Sequence, residues 1–295
     1  MKQDYVNTEN QKIKTCGFLY CTQKQRYVLW AALLFPLIFV VFLIIGLMIN
    51  AATVEERFQR MVLDPNPSLI KANRSVIWQR AGRLGDAIRY KTISFEPNKQ
   101  NKTELENINE YIRKTYPNIH SASFIEKYMI KNLSIVFRIN GTHYTEKPYM
   151  LCAHLDVVPE GELDQWDCNP FLGSIVKDRE CVPINDDEVD DANAYVFGRG
   201  AIDDKHSVFG ILEALEHIVK IGRRPVRTFY IAFGHDEEVS GHEGAENIKP
   251  FITKLLKQNG EELDFILDEG TSVYQNVLPG VDPPVAMISA TEKGN

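Results

Sequence analysis

Residues 148–156 read Pro-Tyr-Met-Leu-Cys-Ala-His-Leu-Asp, an apolar run that ends on a histidine and, two positions later, an aspartate. A short continuous apolar run behind a proline predicts a buried strand from Pro148 to Ala153 that delivers His154 at its carboxyl end. Alternate positions of an extended chain share a face, so Asp156 is expected beside His154. Working outward, Val226–Phe233 and Leu263–Leu267 are further apolar runs, each followed by acidic residues: His235-Asp236-Glu237-Glu238 after the first and Asp268 after the second. Leu133–Ile139 reads as another strand. Between these runs the spacing turns helical. Ala81, Leu84 and Ile88 mark one helix within Trp78–Tyr90. Thr103 with Glu106 forms a capping box for a second helix through Leu105, Ile108 and Ile112. Val208, Ile211, Leu212, Leu215, Ile218 and Val219 mark a third, ending at Gly222. Alternating strands and helices predict an α/β fold with a mostly parallel sheet flanked by helices. In such sheets ligands bind beyond the carboxyl ends of strands, where His154 and the acidic residues fall.

The chain has 295 residues, 44% of them apolar, enough for one or two domains with a proper core. A formal charge of −7 and a pI near 5.6, with no basic stripe, exclude nucleic acid as a natural partner. Oligomeric state is not legible. Val28–Ile49 is apolar apart from one proline and one glycine and carries no charge. About 20 such residues cross a bilayer as a helix. The polar region before the run is too long, and the cleavage motif too poor, for a cleaved signal peptide. Lys2, Lys12, Lys14, Lys24 and Arg26 precede the span, whereas Glu55 and Glu56 follow it, which orients the N-terminus to the cytosol. The expected organisation is a cytosolic tail (1–27), a transmembrane signal anchor (28–49), a stalk (50–75) and a lumenal or extracellular domain (76–295). Sequons at Asn73, Asn101, Asn132 and Asn140 all lie beyond the span, which makes them expected glycosylation sites. Cys168 and Cys181 fall on the same side, where a disulfide between them is one option. Residues 182–193 crowd Asp186, Asp187, Glu188, Asp190 and Asp191 into a short loop. It reads as a solvated acidic loop, without the spacing of a calcium-binding EF-hand.

The polar residues at the strand ends fit a pair of zinc ions served by a general base. A ligating histidine gives its second N–H to an orienting group, a role that suits Asp156. Asp203 and Asp204 follow the turn Gly198-Arg199-Gly200 and precede a helix. One of them can cap that helix, and Asp203 is the candidate to bridge two cations. Glu237 and Glu238 are adjacent, so one can ligate while the other faces a water.

These stretches resemble the di-zinc amidohydrolases that include aminoacylase, carboxypeptidase G and carboxypeptidase S, and among them the carboxypeptidase S branch, which also holds the N-fatty-acyl-amino-acid hydrolase/synthase. The likeness rests on Ala153–Pro159, Trp166 with Pro170-Phe171, Gly198–Lys205, Gly234–Glu238, Ser240-Gly241 and Leu267–Gly270. It implies that His154 and Asp268 bind one zinc, Glu238 binds the other, Asp203 bridges them, Glu237 is the general base and Asp156 orients His154. It also implies a cis peptide between Asp203 and Asp204. The implied activity is hydrolysis of C-terminal peptide bonds or of N-acyl amino acids. The resemblance further implies a lid domain and another histidine ligand beyond Asn295, so residues 76–295 are expected to be the N-terminal part of a catalytic domain. Two other readings follow from the same residues: a catalytically inactive membrane relative that binds or regulates a partner, and a di-zinc aminopeptidase.

Overall fold

The computed structural model describes residues 30, 32, 34–49, 73–143, 145–177, 181–184, 194–270, 273–274, 277 and 284–286. The expected tail and most of the stalk, residues 185–193 of the acidic loop, and residues 287–295 lie outside these. Residues 34–49 are helical and apolar, with Phe35 and Phe42 exposed. Among the described residues no helix is long and apolar enough to cross a membrane.

The unit from Ala72 onward is built on a five-stranded sheet. Its strands are β1 (Ile125–Ile130), β2 (Ser134–Ile139), β3 (Tyr149–His154), β6 (Phe229–Gly234) and β7 (Ile266–Leu267), in spatial order β1-β2-β6-β3-β7. β4 (Ser174–Lys177) and β5 (Ala194–Phe197) form a separate antiparallel pair, as do β8 (Val273–Tyr274) and β9 (Val285–Ala286). The sheet is mixed rather than mostly parallel: β3 runs parallel to β6 and β7, whereas β2 is antiparallel to both β1 and β6. The cause is local. β1 and β2 are joined only by Lys131-Asn132-Leu133, with Lys131 and Asn132 at φ 52° and 64°. A link that short turns the chain back on itself, whereas a parallel pair needs a crossover of a dozen residues or more.

The strands bury both faces with a two-residue period. Ile135, Phe137, Ile139, Ala153, Phe229, Ile231 and Phe233 pack on one side with Leu105, Ile108, Ile112, Val208, Leu212 and Leu215. Those partners come from α2 (Lys102–Thr115) and α4 (Lys205–Lys220); α1 (Arg74–Ile88) and the short α3 (Pro117–Ser121) join the same layer through Ala87 and Ile119. Val136, Met150, Tyr230 and Ala232 face the other way, against Ile248 and Ile252 of α5 (Ala245–Asn259). The result is a helix–sheet–helix sandwich.

Two helix starts differ from the expectation. α2 is capped by Asn101, whose side chain accepts from the Glu104 amide at 3.4 Å, so Thr103 already lies inside the helix. α1 begins at Arg74 behind an Asn73 cap, several residues before the apolar spacing becomes visible. α5 has no counterpart in the sequence reading, because Pro250 sits within it and its start follows Gly241 and Gly244.

Candidate metal centre

Because β3, β6 and β7 are parallel, their carboxyl ends emerge on one edge, with His154 level with Gly234 and Leu151 level with Leu267. The loops leaving that edge carry the polar residues. His154 is 2% exposed and Asp156 fully buried. The imidazole Nδ1 lies 3.0 Å from the Asp156 carbonyl oxygen and 3.4 Å from its carboxylate. Nε2 points the other way, 2.9 Å from Asp203 Oδ1, 3.4 Å from Glu269 Oε2 and 3.8 Å from Glu237 Oε2.

Asp156 ties the loops together. Its Oδ2 accepts from Ser94 Oγ at 2.7 Å and from the Glu238 amide at 3.2 Å, and its Oδ1 accepts from the Glu237 amide at 3.0 Å. The two adjacent glutamates are thus hung, by their backbone, from the residue that orients His154. Asp236 secures the same turn from below: it is 1% exposed and accepts from the Glu243 and Gly244 amides at 2.7 and 2.8 Å. His235, also buried, faces Ser134 Oγ at 2.6 Å. Glu238 Oε1 accepts from the Val158 amide at 3.2 Å.

The Asp203–Asp204 peptide is cis. The two side chains part company there. Asp203 is largely exposed and faces His154, whereas Asp204 is buried and accepts from the His154 backbone amide at 3.3 Å. The preceding turn needs glycine: at Gly198, with φ 147°, a Cβ would lie 2.5 Å from the Ile88 side chain and 2.7 Å from the Pro170 carbonyl oxygen. Lys205 closes the loop. Its buried ammonium donates to the Ala87 and Tyr90 carbonyls at the end of α1, at 3.0 and 2.7 Å, and burial pushes it down to about 7.

Charge is crowded here. Burial opposes a charged imidazole, yet Asp156, Asp204 and Glu269 together push His154 up to about 10. Burial alone would raise Asp156, but its hydrogen bonds with His154 and Ser94 hold it below the ordinary carboxylate range. Burial and the neighbouring Asp203 push Glu238 up to about 7, and burial with surrounding carboxylates raises Glu237 and Glu269 as well. Several carboxylates held against one imidazole are mutually repulsive, and a divalent cation among them removes the conflict. The donor atoms also fit. His154 Nε2, Asp203 and Glu269 each offer an atom within 4.8 Å of the others. The 2.9 and 3.4 Å separations from Nε2 lie near the edge of a tetrahedron with bonds of about 2.1 Å, roughly 3.4 Å.

Five of the residues singled out from the sequence therefore meet: His154, Asp156, Asp203, Glu237 and Glu238. Asp268 follows β7 at the same edge but turns its carboxylate to its neighbour's amide, Glu269 N to Oδ1 at 3.0 Å, and it is Glu269 that reaches His154. Ser94, Lys205 and Glu269 have no role in the sequence reading, which offers Asp204 only as one of two residues able to cap the following helix. Only Glu269, beside an acidic strand end, carried a signal that could have found it. Elsewhere, Cys168 and Cys181 are joined as a disulfide with Cα atoms 5.3 Å apart. Asn73 and Asn132 are exposed, whereas Asn101 and Asn140 are half-buried.

Two cavities open beside the cluster. One, of about 820 Å³, is lined by Asp203 and Glu238 together with Trp166, Tyr195 and Arg199. The other, of about 560 Å³, has His154, Glu237 and Asp268 at one end and Ile248, Ile252 and Leu256 of α5 along its wall.

A model of the peptidase family M20/M25/M40 matches residues 150–282. The chain is 40% identical over 212 residues to an N-fatty-acyl-amino acid synthase/hydrolase of Xenopus tropicalis, covering 72% of this chain and 37% of that protein. It is 38% identical over 219 residues to a probable carboxypeptidase S-like protein of Dictyostelium discoideum, covering 72% and 38%. It therefore spans less than half the length of these relatives. Among solved structures, human carnosine dipeptidase 1 superposes with a TM-score of 0.47 at 14% identity, over 66% of this chain and 39% of that one. M20 metallopeptidases are zinc-dependent, and the cluster at the sheet edge supplies residues able to hold a metal ion. The matched residues and the two sequence relatives place the chain in the M20/M25/M40 peptidase family.

Proposed function

We propose that residues 76–295 form the N-terminal part of a zinc-dependent amidohydrolase that cleaves C-terminal peptide bonds or N-acyl amino acids. The observation that carries this reading is the gathering of His154, Asp203, Glu237 and Glu238 around one buried hub, Asp156, at the carboxyl edge of the sheet. Two zinc ions would be held here, one by His154 and Asp268 and the other by Glu238, with Asp203 as the residue that would serve both. Glu269 competes with Asp268 for the first, being the nearer to His154. Bound zinc supplies Lewis acidity, polarising the scissile carbonyl and acidifying a water.

The chain's own residues do the rest. Asp156 holds the His154 ring with Nε2 aimed at the cluster and Nδ1 turned away. Through the two amides it accepts, Asp156 also sets the backbone that carries Glu237. Glu237 takes the proton from water and returns it to the departing nitrogen. Burial and the neighbouring carboxylates raise its pKa, the direction a proton-accepting carboxylate needs.

The apolar helical residues 34–49 and the charges flanking 28–49 support a single-pass anchor with the N-terminus cytosolic and the catalytic part lumenal or extracellular, glycosylated on its sequons.

The test is Glu237→Gln. A general base contributes about 10²- to 10⁴-fold. The variant is expected to lose hydrolysis of N-acyl amino acids to that extent while binding as much zinc as the parent. Unchanged turnover would remove Glu237 from the mechanism.

A further inference from the structure

The turn that carries Glu237 and Glu238 is held from two sides. Asp156 accepts its two amides, and His235 fixes its entry. The His235 ring is buried, and its Nδ1 lies 2.6 Å from Oγ of Ser134, itself fully buried. The two meet because β2 runs antiparallel to β6 with Ile135 opposite Phe233, which brings the start of β2 to the carboxyl end of β6. Burial lowers the pKa of His235 against the opposing charge of Asp236. A neutral imidazole and a hydroxyl can each donate and accept, so one hydrogen bond joins them in either tautomer. Ser134 is anchored in turn. The Leu133 carbonyl accepts from the Asn109 side chain of α2 at 2.8 Å, and Lys131 pairs with Glu243 at 3.6 Å. Glu243 donates its amide to Asp236, the residue after His235. At Gly244 a Cβ would crowd Asp236 and lie 3.3 Å from Ser134 Oγ. The hairpin and the glutamate turn therefore share one packed junction.

We propose that His235 is a positioning residue: latched by Ser134, it sets the turn that aims Glu237 and Glu238, and it couples the β1–β2 hairpin to the metal centre. What the turn does once it is set rests on the hydrolase reading above. An apolar pair could fill the same space, but only a hydrogen bond fixes direction as well as distance. Without its partner, the buried ring carries an unsatisfied polar atom, which favours any displacement of the turn that brings water to it. Such a displacement pulls on the Glu237 amide two residues on. A shift of about 1 Å at a catalytic group costs about 10²-fold in rate. Ser134 is also the hydroxyl residue of the sequon Asn132-Leu133-Ser134, so its removal must be separated from the loss of a glycan.

The test is amide hydrogen exchange, read by mass spectrometry on the full chain, in the parent, Ser134→Ala, His235→Phe, their double variant and His235→Asn, with Asn132→Gln as the control for the glycan. Ser134→Ala and His235→Phe are each expected to speed exchange in the peptide carrying Glu237 and Glu238 by about tenfold, the scale of one buried hydrogen bond, while α2 keeps the parent's rate. The double variant should be no worse than either single one. His235→Asn, whose amide stands where Nδ1 does, should come within about twofold of the parent, and Asn132→Gln should match the parent. In the zinc-loaded protein, kcat on N-acetylphenylalanine should fall in step with the faster exchange while KM holds. Unchanged exchange in Ser134→Ala and His235→Phe overturns the latch. So does an additive loss in the double variant, no recovery in His235→Asn, or faster exchange spread equally over α2 with a lowered melting temperature, which marks a pair that only stabilises the fold. Should His235→Phe fail to fold, Ser134→Ala and His235→Asn decide between the same outcomes. The two readings fail separately. A parent that cleaves no N-acyl amino acid loses the hydrolase, and the exchange pattern still decides the latch. A parent that cleaves, with kcat indifferent to the faster exchange, keeps the hydrolase and loses the positioning role of His235.

Discussion

Replacing Asp156 with asparagine keeps its shape and removes its charge, and the hydrogen bonds around it make the consequence calculable. Both carboxylate oxygens accept a backbone amide, Oδ1 from Glu237 and Oδ2 from Glu238, with Ser94 adding a third bond. An asparagine has one oxygen and one NH2 group, so either rotamer sets N–H against N–H and leaves a buried donor unpaired. That alone costs about 1–3 kcal/mol. Loss of the charge facing His154 adds to it, so a total of about 3 kcal/mol is expected. For a unit of this size that lowers the melting temperature by roughly 6–12 °C. In the metal-free protein the sign with pH is fixed. His154 is raised from 6.5 to about 10 in the folded state. Its stabilising charge is therefore fully present below about 6.5 and lost as pH rises through 10, and the gap between parent and variant should narrow above that point. Zinc requires the neutral ring, so binding releases a proton, and affinity should fall as the solution is acidified. The variant's zinc affinity should also drop about 10- to 100-fold, the usual effect of removing a carboxylate behind a ligating histidine. Thermal unfolding followed by circular dichroism, with a competitive chelator titration for zinc, measures both. A variant that melts within a degree of the parent and binds zinc equally well would refute the idea that Asp156 is the hub.

His120 packs its ring 6.0 Å from Phe137, its Nε2 is buried with no partner among the described residues, and burial with nearby Lys127 and Arg113 lowers its pKa. Its charged form is favoured by unfolding, so stability should decline as pH falls below about 6.5; His120→Leu should flatten that decline in urea melts at pH 5 and 7, and a parent whose midpoint is the same at both would contradict it. Asn132 is exposed at the tip of the β1–β2 hairpin, whereas the Asn140 amide donates to Glu126 at 2.8 Å. Expressed through a secretory pathway, Asn132→Gln should lose one glycan's mass on a gel and Asn140→Gln none; the reverse pattern would show that the hairpin tip is not the accessible one.

The apolar runs Pro148–Ala153 and Val226–Phe233 are legible as strands because continuous burial needs little context, whereas Leu263–Leu267 yields only the two-residue, exposed β7. The residues just past their ends were legible as a site because ligands gather at carboxyl edges. Helices α2 and α4 were visible in their spacing; α5 was not, since Pro250 and the glycines before it read locally as breakers. The sequence by itself determined the α/β class, the strand ends that carry chemistry and the residue types available for a cation. Only the tertiary structure decided the rest. The three-residue β1–β2 link reverses the chain, and the sheet is mixed as a result. Asp204, Lys205 and Ser94 act through contacts with segments 50 or more residues away, at His154, at the end of α1 and at Asp156 respectively. Which of Asp268 and Glu269 faces His154 depends on how the chain turns after β7, and adjacent carboxylates in a sequence carry no record of that turn. Hydrophobic periodicity is a local property of the chain, whereas the partner of a polar group is set by distant backbone that only packing brings near.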